Sequence, residues 1–283
     1  MYRFFDIGSG KPGIAERERI RHHLIDIVDP DYPFTAGEFC REALKACGGI
    51  YRSGKYPLFV GGTGLYIDSL MGGISEIPDV DREVRNGLLR EMEEKGLRYL
   101  YGDLEKLDHE FAARIHPNDT QRILRGLEVL KATGRPITSY YECRNGHESE
   151  STLYIGLYDD GDSMKKRIEQ RVVRMMESGL VDEVRKIRSM GYSPNLRPMK
   201  SIGYLEVNRF LDGEYSLDEA AARIAQSTKK YAKRQMTWFR KNKRVNWFKT
   251  GNDLAVCDLI EEWLRTVGSR GVYPWKGDDK TGE

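Results

Sequence analysis

The run Tyr56-Pro57-Leu58-Phe59-Val60-Gly61-Gly62-Thr63-Gly64-Leu65-Tyr66 decides the fold. Tyr56 to Val60 is apolar enough to read as a buried strand, Gly61 to Gly64 is a glycine-rich turn, and Leu65 to Met71 continues with helical spacing. Upstream, His23-Leu24-Ile25-Asp26-Ile27-Val28 reads as another short buried strand. Between the two, Thr35-Ala36-Gly37-Glu38 forms a capping box that starts a helix running to about Ser53. Strand, helix, strand, helix in this order predicts a parallel sheet covered by helices, an α/β core. Ligands of such sheets gather at the carboxyl ends of the strands, where Gly61 to Gly64 would lie. That turn could let backbone N–H groups approach a phosphate with Thr63 offering a hydroxyl, or could be only a tight strand-to-helix connection. The residues alone leave both readings open.

Beyond Pro78 the character changes. Asp81 to Gly96 and Leu97 to Arg114 are strongly charged helical patterns with little β-propensity, which predicts an all-helical lobe over 78–116 inserted into a core made of 1–77 and 117–270. Ile115-His116-Pro117-Asn118-Asp119 caps a helix carrying Gln121, Arg122 and Arg125 that stops at Gly134. Leu153 to Leu157 returns as a strand. Tyr141 to Ser151 reads as a polar loop, and 271–283 as a disordered tail.

Composition narrows the class. The chain has 283 residues, 39% hydrophobic and 32% charged, and a formal net charge of only +2. No apolar run approaches the roughly 20 residues of a membrane span. The amino terminus lacks the pattern of a secretory signal, so a cytoplasmic protein is expected. Cys40, Cys47, Cys143 and Cys257 show no zinc spacing and read as free thiols.

The positive charge is concentrated in one segment. From Lys229 to Arg244 eight of sixteen residues are Lys or Arg, none is acidic, and Tyr231, Trp238 and Phe239 are interleaved. Such a segment suits a phosphate backbone and unstacked bases, so RNA is the first partner to expect. The competing reading is an amphipathic helix with a solvated basic face, opened by the capping box Ser216-Leu217-Asp218-Glu219.

Further motifs join these in order: Tyr2-Arg3 with Asp6-Ile7-Gly8-Ser9-Gly10-Lys11-Pro12, then His22-His23-Leu24-Ile25-Asp26, and later Met199-Lys200-Ser201-Ile202-Gly203-Tyr204. Together with Val60 to Tyr66, Ile115 to Arg122 and Ala232 to Trp238 they make the chain, from Tyr2 to about Phe248, resemble the bacterial tRNA dimethylallyltransferases. The resemblance implies a P-loop-type α/β core and transfer of a dimethylallyl group from its diphosphate to N6 of adenosine 37, in tRNAs reading codons that begin with U. It also implies Mg²⁺ as cofactor, the tRNA anticodon stem-loop and dimethylallyl diphosphate as partners, and a monomer.

Carried over by position, Thr63 and Arg85 resemble the family's catalytic threonine and lobe arginine. Three stretches match the segments that touch tRNA: Gln121, Arg122, Ile123, Leu124 and Arg125; Lys200, Ser201, Ile202, Gly203, Tyr204 and Leu205; and Lys233, Arg234, Gln235, Met236, Thr237, Trp238, Phe239 and Arg240. Lys200 stands where the family can carry Arg, which keeps charge and loses the bidentate fork.

The family's first strand, its P-loop and an Asp-Ser pair bearing the general base precede the Tyr-Arg motif, whereas the sequence starts at Met1-Tyr2-Arg3. Gly8-Ser9-Gly10-Lys11 is no substitute, being followed by Pro12 and lacking a strand before it; Asp6 is not the base. The expectation is therefore little transfer by the chain as it stands, with a non-catalytic tRNA- or RNA-binding remnant as the alternative. A nucleotide kinase relative is disfavoured by the same lack of a Walker A loop.

Overall fold

The computed structural model describes residues 1–73, 75, 77–143 and 152–269. In chain order the helices are α1 (Ile14–Arg19), α2 (Ala36–Arg52), α3 (Gly64–Gly72), α4 (Arg82–Lys95), α5 (Leu97–Leu107), α6 (His109–Ala113) and α7 (Thr120–Thr133). Strand β1 (Tyr154–Tyr158) follows, then α8 (Gly161–Glu177), α9 (Leu180–Ser189), α10 (Tyr204–Leu211), α11 (Leu217–Phe239), strand β2 (Val245–Lys249) and α12 (Asp253–Ser269). Two compact units result, Met1–Asp68 with Glu148–Glu283, and Ser69–His147.

Local chemistry sets the helix starts. At α2 the Thr35 hydroxyl accepts from the Glu38 N–H at 3.2 Å while the Glu38 carboxylate accepts from the Thr35 N–H at 2.7 Å, a reciprocal capping box. Ser216 caps α11 by accepting from the Glu219 N–H at 3.2 Å, and Asp119 caps α7 by accepting from the Arg122 N–H at 3.2 Å. Gly134, with φ 70°, ends α7 in the left-handed conformation that only glycine adopts cheaply.

The sheet is smaller than the sequence predicts. β1 and β2 run parallel, in register from Tyr154 against Val245 to Tyr158 against Lys249. Gly156 is required there, because a Cβ would lie 2.6 Å from the Trp247 ring. The two upstream segments expected as strands are not strands. His23 to Val28 contributes a single bridge, Val28 to Tyr2, since Leu24 (φ 60°) and Asp26 (φ 55°) sit in left-handed backbone. Tyr56 to Val60 makes no ladder, and Leu58 and Val60 are 81% and 87% exposed. Apolarity gives a segment the means to be a strand, but a strand exists only through a paired neighbour. The architecture of the described residues is thus helix-rich around a small parallel sheet.

Each unit has its own apolar core. In the first, Val172 and Met175 of α8, Leu180, Val184 and Ile187 of α9, Tyr204 and Val207 of α10 and Ile224 of α11 are buried together with Phe5. In the second, Leu88 of α4, Leu100 and Leu104 of α5, Phe111 of α6 and Ile123, Leu124, Leu127 and Val129 of α7 form the core. This unit is wider than the expected lobe of 78–116, because α7 supplies a buried face that nothing on α4 to α6 replaces. Gly126 permits that packing: a Cβ there would meet Leu104 at 2.8 Å and Phe111 at 3.0 Å. Among the described residues no helix is long and apolar enough to cross a membrane. Residues 144–151 of the expected polar loop and the tail at 271–283 lie outside the described residues.

Candidate nucleic-acid interface

In the first unit the carboxyl-terminal half of α11 and the turn after it concentrate positive charge. Lys230, Lys233, Arg234, Arg240, Lys241 and Lys243 are exposed or half-buried and make no ion pair among the described residues. The amino-terminal half behaves differently, with Arg223 paired to Glu219 at 2.7 Å, and Lys229 at the junction paired to Glu169 at 2.8 Å. A merely solvated helix gains from interspersed acids at i,i+4, as in that first half; the second half forgoes them. Arg234 lies over the Tyr231 ring at 5.6 Å.

The same helix holds the glycine-rich turn. Gln235 donates from Nε2 to the Gly62 carbonyl at 2.8 Å, and Trp238 donates from Nε1 to Asp68 Oδ2 at 2.8 Å. A Cβ on Gly62 would fall 1.9 Å from Gln235 Nε2, and one on Gly64 2.3 Å from Trp238 Cδ1. Neither glycine has a positive φ. They are glycines because α11 presses on their backbone, and the helical face that does so is the aromatic, amide-bearing one. Thr63, between them, is exposed, and its hydroxyl has no hydrogen-bond partner among the described residues. Two stretches far apart in sequence, Thr63 and Lys233 to Arg240, therefore meet. Beside them, Asp68, Trp238, Phe239, Lys241 and Asn242 line an open groove of about 320 Å³.

The Lys200 to Leu205 stretch is a turn clamped from beneath. Glu206, 5% exposed, accepts from the Gly203 N–H at 2.8 Å and from the Ser227 hydroxyl of α11 at 2.9 Å, which fixes the turn to the basic helix. Lys200 and Ser201 are exposed, Ile202 and Leu205 half-buried. Tyr204 corrects the expected RNA contacts: it is 1% exposed, and its O–H donates to Glu183 Oε1 at 2.5 Å. Burial together with that carboxylate pushes its phenol well above the usual tyrosine range. Gly203 is likewise buried, its φ of 95° shaping the turn. Glu183 also accepts from the N–H groups of Asp6 (3.1 Å), Ile7 (2.8 Å) and Gly8 (3.3 Å), so the Asp6-Ile7-Gly8 loop is seated on α9. Lys11, 7% exposed, is ion-paired with Asp6 and Asp26 and is not available as a phosphate cradle.

In the second unit, Gln121 and Arg122 are exposed on α7 and Arg125 half-buried. Ile123 and Leu124, at 0% and 1% exposure, belong to the core and cannot reach RNA, since helical spacing turns them inward from Arg122. Arg85 of α4 is bonded to the buried Glu128 of α7. Thr63 and Arg85 thus lie in different units.

Glu128, Glu183, Glu206 and Asp68 went unseen in the sequence. For Glu128 the signal was a lone acid inside Leu127-Glu128-Val129-Leu130; the others look like any exposed helical carboxylate. Among the described residues no group of three or more His, Cys, Asp or Glu gathers around one point; the Mg²⁺ that the resemblance implies would need fewer protein ligands, one or two carboxylates beside substrate phosphates.

Residues 1–242 match the IPP transferase family model. A tRNA dimethylallyltransferase 2 of Geotalea uraniireducens is 42% identical over 269 residues, spanning 93% of this chain and 86% of the relative. A tRNA dimethylallyltransferase of Geobacter metallireducens is 46% identical over 248 residues, 87% of this chain and 80% of the relative. Among solved structures, the full-length tRNA isopentenylpyrophosphate transferase of Bacillus halodurans aligns with TM-score 0.66 at 33% identity, covering 95% of this chain and 87% of that one. A eukaryotic dimethylallyltransferase acting on tRNA, 24% identical with TM-score 0.71 over 94% of this chain and 67% of that one, shares the fold. With a family model matched over most of its length and relatives above 40% identity along most of both chains, this chain belongs to the IPP transferase family, that of the tRNA dimethylallyltransferases.

Proposed function

We propose that this chain transfers a dimethylallyl group from dimethylallyl diphosphate to N6 of adenosine 37 in tRNAs reading codons that begin with U. The observation that carries this reading is the seating of the Thr63 turn on the basic, aromatic half of α11. The reaction forms a bond between N6 and the allylic carbon, breaks the bond from that carbon to the diphosphate, and releases one proton from N6. An exocyclic amine is a weak nucleophile, so most of the barrier must fall through positioning and through stabilisation of the departing anion. Adenosine 37 has to leave its stack to react. Trp238 and Phe239 offer apolar faces for an unstacked base, while Lys233, Arg234 and Arg240 engage phosphates. Thr63 aligns the reacting nucleotide through its exposed hydroxyl.

The test incubates both the chain as it stands and the longest in-frame product of its gene with unmodified tRNA, dimethylallyl diphosphate and Mg²⁺, followed by nucleoside mass spectrometry. N6-dimethylallyladenosine at position 37 is expected. Retention of tRNA by both proteins with no prenylated nucleoside from either would reduce the function to RNA binding, and product at another position would overturn the site assignment.

A further inference from the structure

Glu128 is a carboxylate where a helix core would ordinarily place an apolar side chain. It lies between Leu127 and Val129, is 5% exposed, and belongs to the helix that supplies much of the second unit's apolar core. A charge buried this far costs several kcal/mol unless it is paired, so its partners are informative. Its Oε1 bonds Arg85 Nη1 at 2.5 Å, across from α4, and its Oε2 lies 3.5 Å from Arg125 Nη1, one turn back on α7. Arg85 Nη2 in turn reaches Gln121 Oε1 at 3.5 Å. One carboxylate therefore holds two guanidinium groups, one on each oxygen, while both arginines keep 39% of their side chains exposed. Without the acid, two like charges would repel and each long side chain would sample many rotamers. With it, the pair keeps a net charge of +1 and a fixed spacing, and each guanidinium has N–H donors left over. Gln121, Arg125 and Glu128 follow one another at i, i+4 and i+7, so they share a face of α7.

We propose that Glu128 is a positioning residue: it presets Arg85 and Arg125 as a two-arginine clamp for a phosphate group, borne either by the tRNA backbone or by the prenyl diphosphate. The inference rests on the proposed function for the identity of those phosphates. A planar fork matches phosphate oxygens two at a time, so pre-setting two forks raises affinity by lowering the ordering cost of binding.

The experiment uses Glu128→Gln, which keeps shape and removes the charge, with Glu128→Asp as a second variant that keeps the charge but retracts it from Arg85. Each is measured for melting temperature, for tRNA Kd without prenyl diphosphate, and for KM of dimethylallyl diphosphate at saturating tRNA. For a backbone-phosphate clamp, Kd for tRNA rises about tenfold in Glu128→Gln, and the added effect in an Arg85→Ala background stays within about twofold, the non-additivity of residues acting as a unit. For a diphosphate clamp, KM for the prenyl donor rises instead and Kd stays unchanged. Melting that falls with Kd and KM both unmoved would make Glu128 purely structural. Tighter tRNA binding by Glu128→Gln would show that the acid masks the arginines. Either result overturns the proposal; so does unaltered binding by a folded Glu128→Asp if the Gln variant fails to fold. Failure of the unsubstituted protein to bind tRNA would overturn the proposed function itself, whereas normal tRNA binding with indifferent Glu128 variants would sink only the clamp.

Discussion

Replacing Glu183 by Gln should loosen the first unit by at least about 3 kcal/mol, from four hydrogen bonds of which a charged acceptor makes each roughly 1.5–3 kcal/mol against about 1 for a neutral one. The carboxylate receives N–H groups of Asp6 (3.1 Å), Ile7 (2.8 Å) and Gly8 (3.3 Å) and the Tyr204 O–H (2.5 Å). A glutamine can keep its carbonyl on Asp6 and Ile7, at neutral strength. Its amide nitrogen then faces Tyr204, whose hydroxyl can turn to accept, and the Gly8 N–H, which is left with a donor opposite a donor. Three bonds reduced to neutral strength lose at least about 0.5 kcal/mol each and the broken one about 1.5 kcal/mol, which sets the floor of about 3 kcal/mol. No compensating shift is easy, because a Cβ-sized group at Gly8 would already touch the Tyr204 ring at 2.4 Å, so the loop has no slack on that side. Urea unfolding followed by tryptophan emission isolates the effect: Trp238, Trp247 and Trp263 belong to the first unit, and the sequence from 69 to 147 has no tryptophan. With a urea slope of about 1–3 kcal/mol per M, the midpoint should fall by about 1 M or more. A shift under about 0.2 M, within the scatter of neutral surface substitutions, would refute the argument that Glu183 anchors the amino-terminal loop.

Gly64→Ala puts a methyl group 2.3 Å from Trp238 Cδ1 and 2.4 Å from Nε1; expelling the indole should cost about 1–3 kcal/mol and shift its emission. Unchanged emission would contradict the close seating of the turn. Lys233→Glu with Arg240→Glu should weaken all tRNAs alike and flatten the log Kd against log salt plot by about 0.7–0.9 for each phosphate no longer neutralised, as filter binding across a salt series will read. Thr63→Ala should lower kcat about 100-fold with tRNA Kd within about twofold, the pattern of a group acting in the transition state; steady-state kinetics beside equilibrium binding separates the two. Burial pushes the Cys40 and Cys47 thiols up to about 11, so at pH 8 each is only about 0.1% thiolate. Iodoacetamide should therefore mark the exposed Cys257 first, with the buried pair labelled only on unfolding, as peptide mass spectrometry would show.

What the sequence made legible was local chemistry. Thr35 with Glu38, Ser216 with Glu219, Asp119 and Gly134 each cap through their own side chain or backbone, and all sit where expected. What it hid was long-range. Tyr56 to Val60 has strand composition yet no ladder, since pairing depends on a neighbour and not on the segment. The helical unit reaches past the charged stretch that announces it, because α7 is amphipathic in either setting and only packing decides which core receives Ile123 and Leu124. For the site, charge density and interleaved aromatics point to α11, whereas a motif match treats Arg122, which faces solvent, and its buried neighbours alike. Nor does the motif say that Gly62 and Gly64 answer to Gln235 and Trp238 rather than to a turn.

The connectivity also sets an order of events on the ribosome. Ser69–His147 is contiguous and carries its own core, so it can fold as soon as it emerges. The first 68 residues cannot complete their unit at that time: the acceptor for the Asp6 backbone is 177 residues downstream, and the Gly62 carbonyl waits 173 residues for Gln235. At synthesis rates of about 5–20 residues per second the amino-terminal segment stays unpartnered for about 10 to 35 s. Throughout that interval Phe5, which the finished unit buries among α8 to α11, has no core to enter, which makes the early segment, rather than the helical lobe, the natural client for a chaperone.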